Sequence, residues 1–282
     1  MDRIRQGFTS ALSGGRGRNA VKSALPVLMF LILFLLVEFY IHARPQDAAL
    51  LAEELGRKLE AYPKYENWTF RSVSVNREMT KNWTPKKTTV LEKSIRVSGG
   101  TITEEILRAT EEENGKVKDI TQDRIKKAEE RRRKAEKERA GRERRGIRGG
   151  ERGGSIYSIG LEEVFPFKEE KRNLYDFSLL EGSEIGGRPV LALKSSAKSK
   201  DEDLLEGVYY IDKESLIILK ASLRPSKIPK IIKDFAFELG FDVLPSGHFV
   251  LRDIRMKVNG GIFIKHIRME VEETYKDYEI LN

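Results

Sequence analysis

From Tyr175 to Tyr278 apolar and polar residues alternate in short runs separated by glycines, prolines and charged turns, the pattern of an antiparallel sheet. Tyr175, Phe177 and Leu179 share one parity while Asp176 and Ser178 take the other, as in a half-buried strand. Gly186-Gly187 then leads into a short run from Arg188 to Lys194, in which Pro189 is tolerable only at the start or on an edge. After the polar loop Ser195 to Asp203, the run Gly207 to Asp212, the turn Lys213-Glu-Ser215, and Ile217, Leu219, Ala221 and Leu223 on one face predict a second hairpin. Ile231 to Leu239 fits a helix through Ile231, Phe235 and Leu239, or a strand through Phe235, Phe237 and Leu239. Val250, Ile254, Met256 and Val258 alternate, Asn259-Gly260-Gly261 offers a turn with positive φ, and Phe263, Ile267, Met269 and Val271 return.

Earlier in the chain, Ala48, Leu51, Leu55 and Leu59 share one helical face between Gln46 and Glu60, with Asp47 near the start and Pro63 beyond the end, which predicts an amphipathic helix packed on the sheet. Asn67 to Met79, Thr88 to Val97 and Thr101 to Ala109 read as further strands, the first rich in aromatic and β-branched residues. Trp68 is placed in the core or lining a pocket, and Trp83 in a loop. Between about residues 115 and 154 the pattern changes. Lys126 to Arg145 is nearly all Lys, Arg, Glu and Ala, with Glu129/Arg133, Glu130/Lys134 and Glu138/Arg142 at i,i+4 in the favourable order, so a solvated helix is expected. Its apolar residues, Ile125, Ala128, Ala135 and Ala140, are too few for a coiled-coil seam. Such a segment suits either a charged excursion between strands or an arm touching anionic headgroups or an acidic partner.

Composition narrows the class. The 282 residues include no cysteine, which excludes a disulfide framework, a thiolate metal site, a cysteine nucleophile and a lipidated amino-terminal cysteine. The net charge of +8 divides unevenly: residues 1–22 hold five basic residues and one acidic, residues 121–152 hold fourteen and seven, and the remainder is net −3. The basic leader Arg3, Arg5, Arg16, Arg18 and Lys22, the apolar run Ala24 to Val37 and the small Ala43 are the parts of an export signal, either cleaved at Ala43 or retained as an anchor reaching Ile41. Residues 1–43 therefore form leader and signal or anchor, and residues 44–282 an exported β-rich domain, periplasmic and either soluble or tethered through 24–41. A mildly acidic, exported body speaks against nucleic acid.

Chemistry is sparse. His42 sits at the signal boundary, and neither His248 nor His266 has a second ligand at metal spacing. Ser246, His248 and Asp253 include a triad's residue types, but Ser246 lacks the glycine-flanked elbow that exposes such a nucleophile. Adjacent carboxylates (Glu162-Glu163, Glu169-Glu170 and Glu272-Glu273) point to opposite faces of a strand. Asn67-Trp-Thr69 and Asn82-Trp-Thr84 match the glycosylation sequon, a pattern short enough to arise by chance. No enzyme and no cofactor is expected.

The order of signal, amphipathic helix, aromatic strands, charged insertion and hairpins, with Gly182-Ser-Glu-Ile-Gly-Gly-Arg-Pro-Val190, Gly207-Val-Tyr-Tyr-Ile-Asp212 and Tyr275-Lys-Asp-Tyr278, resembles the outer-membrane lipoprotein-sorting (LolA-like) superfamily over most of residues 46–281. The likeness is greatest to bacterial members with a Lys/Arg/Glu-rich mid-chain helix. The resemblance implies an α+β, mainly antiparallel fold, a strongly curved half-barrel sheet capped by helices and holding acyl chains. About ten strands tend to curl, and a curled sheet leaves an apolar interior to fill. Trp68, Phe70, Tyr175, Phe177, Ile217, Leu219, Phe263 and Ile267 are the candidates to line it. The implied role is non-covalent binding of lipid or lipoprotein acyl chains in envelope sorting or transfer. The alternative is an envelope-stress regulatory module that takes a protein partner, or an anionic membrane surface, through Lys126 to Arg145.

Overall fold

The computed structural model describes residues 47–64, 67–99, 101–144, 165–201, 203–228, 232–262 and 265–281. All belong to one compact unit, Asp47–Asn282. The signal or anchor expected at residues 1–43 lies outside the described residues, as does Phe263.

Helix α1 (Ala48–Ala61) begins where expected, because Asp47 is extended and its Oδ1 accepts from the Ala49 amide at 2.8 Å. It ends at the extended Tyr62, before Pro63. Leu51, Ala52, Leu55 and Gly56 are its buried face. The sheet comprises β1 (Asn67–Met79), β2 (Pro85–Ser98), β3 (Thr101–Glu113), β4 (Lys116–Asp119), β5 (Tyr175–Leu180), β6 (Glu184–Ile185), β7 (Arg188–Ala197), β8 (Leu205–Asp212), β9 (Ile218–Pro225), β10 (Ile232–Val243), β11 (Phe249–Ile262) and β12 (Lys265–Ile280). Helix α2 (Thr121–Arg144) follows β4, and the single turn α3 (Glu169–Arg172) precedes β5.

The strand order is β4-β3-β2-β1-β12-β11-β10-β9-β8-β7-β5, with β6 beside β7, and every ladder is antiparallel. The sheet is open, with β4 and β5 at its two edges. Pairing of β1 with β12, from Trp68 opposite Ile280 to Glu78 opposite Met269, joins the two ends of the domain. Curvature follows from one ring. Phe165 lies 5.9 Å from Tyr209 on β8 and 6.2 Å from Phe249 on β11, centroid to centroid. Three strand spacings would separate those strands by about 14 Å in a flat sheet, so the sheet curls around Phe165. The result is a half-barrel with α1 across its concave face.

Several positions differ from the sequence expectation. Twelve strands form rather than about ten, since Lys116 to Asp119 adds an edge strand and Glu184–Ile185 a short partner to β7. Asn259-Gly260-Gly261 is no turn: these residues pair with Arg268, Ile267 and His266, and β11 continues to Ile262. A ladder on both sides outweighs the turn preference of an Asn-Gly pair. Ile231 to Leu239 resolves as strand from Ile232. The alternation Ile217, Leu219, Ala221, Leu223 is broken by a bulge, because Tyr210 pairs with Lys220 and Ile211 with Ile218. Leu219 is the extra residue, so Ile218 joins Ala221 and Leu223 in the core. Leu216, in the turn before β9, is buried and has φ of 53°.

Two features generate stability predictions. The backbone carbonyl of Phe167 lies against Gly56, and a Cβ there would stand 2.3 Å from that oxygen. Gly56→Ala, which in an open helix gains about 1 kcal/mol, should instead lower stability by roughly 1–3 kcal/mol through overpacking. An unchanged or raised melting temperature would refute the close approach. In the β8–β9 turn Asp212 Oδ1 accepts from the Ser215 amide (2.8 Å), the Ser215 hydroxyl (2.7 Å) and the Glu214 amide (3.1 Å), with Arg188 at 3.5 Å. The Ser215 bonds, first through the backbone, hold this carboxyl below the usual aspartate range. A depressed carboxyl contributes above its unfolded value, near 3.9, and loses that contribution as pH falls through the folded value. Asp212→Ala should therefore cost about 1–2 kcal/mol in denaturant unfolding at neutral pH, and the gap to wild type should close in acid below about pH 4; a gap independent of pH contradicts it.

Candidate functional site

The concave face divides into a filled half and an open half. In the filled half, Phe165 and Phe167 are 1% and 0% exposed and occupy the space between α1 and the sheet. Phe165 contacts Tyr209, Phe241 and Phe249, and Phe167 contacts Tyr209 at 4.7 Å and Phe177 at 6.0 Å. Tyr62 stacks on Phe249 at 5.2 Å, carrying the end of α1 over to β11. Lys58 Nζ donates to the Ser215 carbonyl, and Glu53 meets Arg172 at 3.9 Å. Sequence reasoning missed Phe165 and Phe167. Their signal was the apolar group Val164-Phe-Pro-Phe167 closing an otherwise charged insertion.

Most of the residues expected to line a cavity are packed. Trp68, Phe70 and Tyr175 are buried, and Trp68 stacks on Tyr278 at 5.5 Å. Phe70 lies 5.2 Å from Tyr278 and 6.1 Å from Tyr275. The Tyr278 hydroxyl donates to the Leu251 carbonyl, tying β12 to β11. Phe177 and Ile217 are half-buried against the core, and Leu219 is half-buried on its bulge. Ile267 shares the concave parity, opposite Gly260, but is 50% exposed at the far end of β12. The structure therefore brings Trp68 and Phe70 together, and Tyr175 with Phe177, whose rings lie 6.3 Å apart.

The open half lies beyond Ile254 and Leu239, the last core residues of β11 and β10 in that direction. The ladder places Phe235 opposite Val258 and Phe237 opposite Met256. Across β11, Met256 faces Val271 and Val258 faces Met269. These six side chains share the parity of Ile254, and all are half-buried. Phe235 and Phe237 stand 5.7 Å apart. Toward β1 and β2 the same face turns polar: Ser74 pairs with Glu273 and Leu91, and Asn76 with Val271 and Thr89. Lys87 and Glu111 form an ion pair at 2.9 Å beyond them. That hydrogen bond, more than the Coulomb attraction alone, lowers the Glu111 carboxyl and raises the Lys87 ammonium from their usual ranges. The open half is thus an apolar floor with one polar, mixed-charge border.

The titratable groups inside the filled half do not suit proton transfer. Tyr209 is fully buried, its hydroxyl and that of Ser195 make no hydrogen bond of good geometry, and burial pushes its phenol far above the usual tyrosine range. Burial also raises the phenols of Tyr62 and Tyr175. His248 Nδ1 lies 3.0 Å from Ser246 Oγ, but Asp253 stands five extended residues away, roughly 16 Å, and its carboxylate meets Arg252 at 2.9 Å. Among the described residues no group of three or more His, Asp or Glu is arranged to hold a metal ion. Other concavities, about 540 Å³ beside Leu107, Arg108 and Asp119, about 300 Å³ beside Lys194, Glu206 and Arg224 and about 200 Å³ beside Val73, Glu92 and Arg108, mix charged with uncharged side chains.

No family model and no curated protein matches the sequence. Among solved structures the chain is similar to a LolA superfamily protein of Nitrosomonas europaea, at 9% identity over 82% of this chain and 94% of that one, with a TM-score of 0.38. It is similar also to a putative outer membrane lipoprotein-sorting protein domain from Vibrio parahaemolyticus, at 12% identity over 82% and 92%, with a TM-score of 0.37. A third is the MucA/MucB complex of Pseudomonas aeruginosa, at 10% identity over 82% and 94%, with a TM-score of 0.26. The likeness is one of fold alone, an open antiparallel sheet with few helices.

Proposed function

We propose that this protein is an exported binding protein, not an enzyme, that holds lipid or lipoprotein acyl chains non-covalently in envelope lipoprotein sorting or transfer. The observation that carries the reading is the open half of the concave face: Phe235, Phe237, Met256, Val258, Met269 and Val271 form a continuous apolar floor that neither α1 nor Phe165 covers. Unbranched methionines beside flat phenylalanine rings adapt to flexible chains better than a rigid core would. The driving force is apolar burial, about 0.8 kcal/mol per methylene. Ten buried methylenes supply roughly 8 kcal/mol before the cost of association. The sequence resemblance supports the same ligand class.

The two halves should respond differently to substitution. In the unit from Asp47 onward, Phe165→Ala should cost roughly 3–5 kcal/mol of stability, because it empties a packed site. Met256→Ser should cost well under half of that, since its site already meets water. Equal losses in denaturant unfolding would remove the distinction between the halves.

Binding itself is tested with a fluorescent fatty-acid probe. Phe237→Glu and Met256→Glu should each weaken probe binding at least tenfold while the far-ultraviolet circular dichroism of the sheet persists. Lys257→Gln, on the opposite face of β11, should leave it unchanged. Probe affinity indifferent to both glutamates sinks the assignment of the open half.

A further inference from the structure

Helix α2 is built outward from the sheet edge. Its root is fixed: Ile120 is buried, its amide donates to the Ala109 carbonyl at 2.9 Å, the Ala109 amide donates to Thr121 Oγ1 at 2.9 Å, and the Thr121 amide donates to Asp119 Oδ1 at 2.8 Å. Thr121, Arg124 and Ile125 are half-buried in the first two turns, whereas every residue from Lys126 to Lys137 is exposed. The helix therefore leaves the sheet after its second turn and is exposed all round from Lys126 to Lys137. A helix that buries no face owes its position to its root and its function to its surface.

The charges on that surface are not evenly spread. Arg124, Lys127, Arg131 and Lys134 succeed one another at spacings of three, four and three residues, which places them on one line along the helix. Ten residues at 1.5 Å each make a basic stripe about 15 Å long. Glu129 and Glu136 lie on the other side, where Glu136 pairs with Arg132 at 3.5 Å, while Glu130 flanks the stripe and Glu138, four residues after Lys134, closes it. The stripe holds no leucine, aromatic or methionine. A protein interface draws most of its affinity from such buried anchors, and none is on offer here. An anionic bilayer needs none, because each Lys or Arg near its surface contributes through charge alone.

We infer that helix α2 is a docking arm that lays the stripe Arg124, Lys127, Arg131 and Lys134 on an anionic lipid surface, holding it by electrostatics without insertion. The inference is independent of the acyl-chain reading, since it concerns another surface and another part of a lipid.

The absence of cysteine allows a single label. The full chain carrying Ala135→Cys, labelled with a donor fluorophore, is added to vesicles with an acceptor on the headgroups, made of phosphatidylcholine alone or mixed with phosphatidylglycerol. Energy transfer should rise with the phosphatidylglycerol content and fall away in high salt. Lys127→Gln/Arg131→Gln/Lys134→Gln should raise the half-saturating lipid about a hundredfold, roughly fivefold per cation. Lys126→Gln/Arg133→Gln, off the stripe, should change it much less. The basic leader is the same in every variant, so the differences belong to α2. Transfer indifferent to phosphatidylglycerol, or to the triple substitution, overturns the inference, as does tighter binding to polyglutamate than to the anionic vesicles, which would mark an acidic protein partner.

Discussion

The packing of Phe165 and Phe167 beneath α1 is the contact on which the rest of the domain depends. An open sheet of this length has an apolar concave face and, among the described residues, no second sheet to cover it. One short helix cannot span that face. The two phenylalanines supply the missing volume, and one ring reaches from β8 to β11. Their approach is possible because α1 carries Gly56 where the Phe167 carbonyl arrives. Sheet curvature, helix position and filled core are thus three consequences of one packing arrangement.

The same arrangement decides which part of the concave face is filled. Fully buried core residues end at Leu239 and Ile254, Phe237 packs against them half-buried, and the strands run on for several residues beyond. Those residues keep the alternation of a buried face, and polar side chains enter it at Glu273 of β12, opposite Ile254, and at Ser74 and Asn76 of β1. On the convex face, Lys257 meets Glu270 at 3.1 Å, Arg77 meets Glu272 at 3.0 Å and Lys220 meets Glu238 at 2.7 Å. Such cross-strand pairs contribute little each, and they keep that face wet. Lys257 also lies 3.9 Å above the Trp83 ring, folding the β1–β2 turn down onto the sheet. Among the described residues, one face of the half-barrel is thus solvated and the other carries apolar side chains that are only half-buried beyond Ile254.

Helix α2 shows how a sequence dense in charge remains helical without a partner. Its i,i+4 pairs and strong helix formers support it, and its root is tied into the β3–β4 edge by Thr121 and Ile120. Attachment at one end and exposure from Lys126 to Lys137 are what an arm requires, and they turn a segment of low-complexity composition into a surface with a defined face.

Much of this was legible in the chain. Periodicity of two marks most of the strands, Asp47 and Pro63 bound α1, and the composition of Lys126 to Arg145 gives a solvated helix, because these depend on local spacing and solvation alone. What lay beyond the sequence depends on neighbours distant in the chain. A bulge at Leu219 comes from fitting β8 to β9, and Asn259-Gly260-Gly261 stays extended because β10 and β12 pair on either side. Trp68 and Phe70 read the same whether they line a cavity or fill a core, and only Tyr275 and Tyr278, some two hundred residues on, decide that they pack. The class of fold and helices α1 and α2 follow from the chain alone, since local periodicity and composition carry them. Tertiary structure alone decided which apolar residues are covered, because that rests on where Phe165 and Phe167 come to lie.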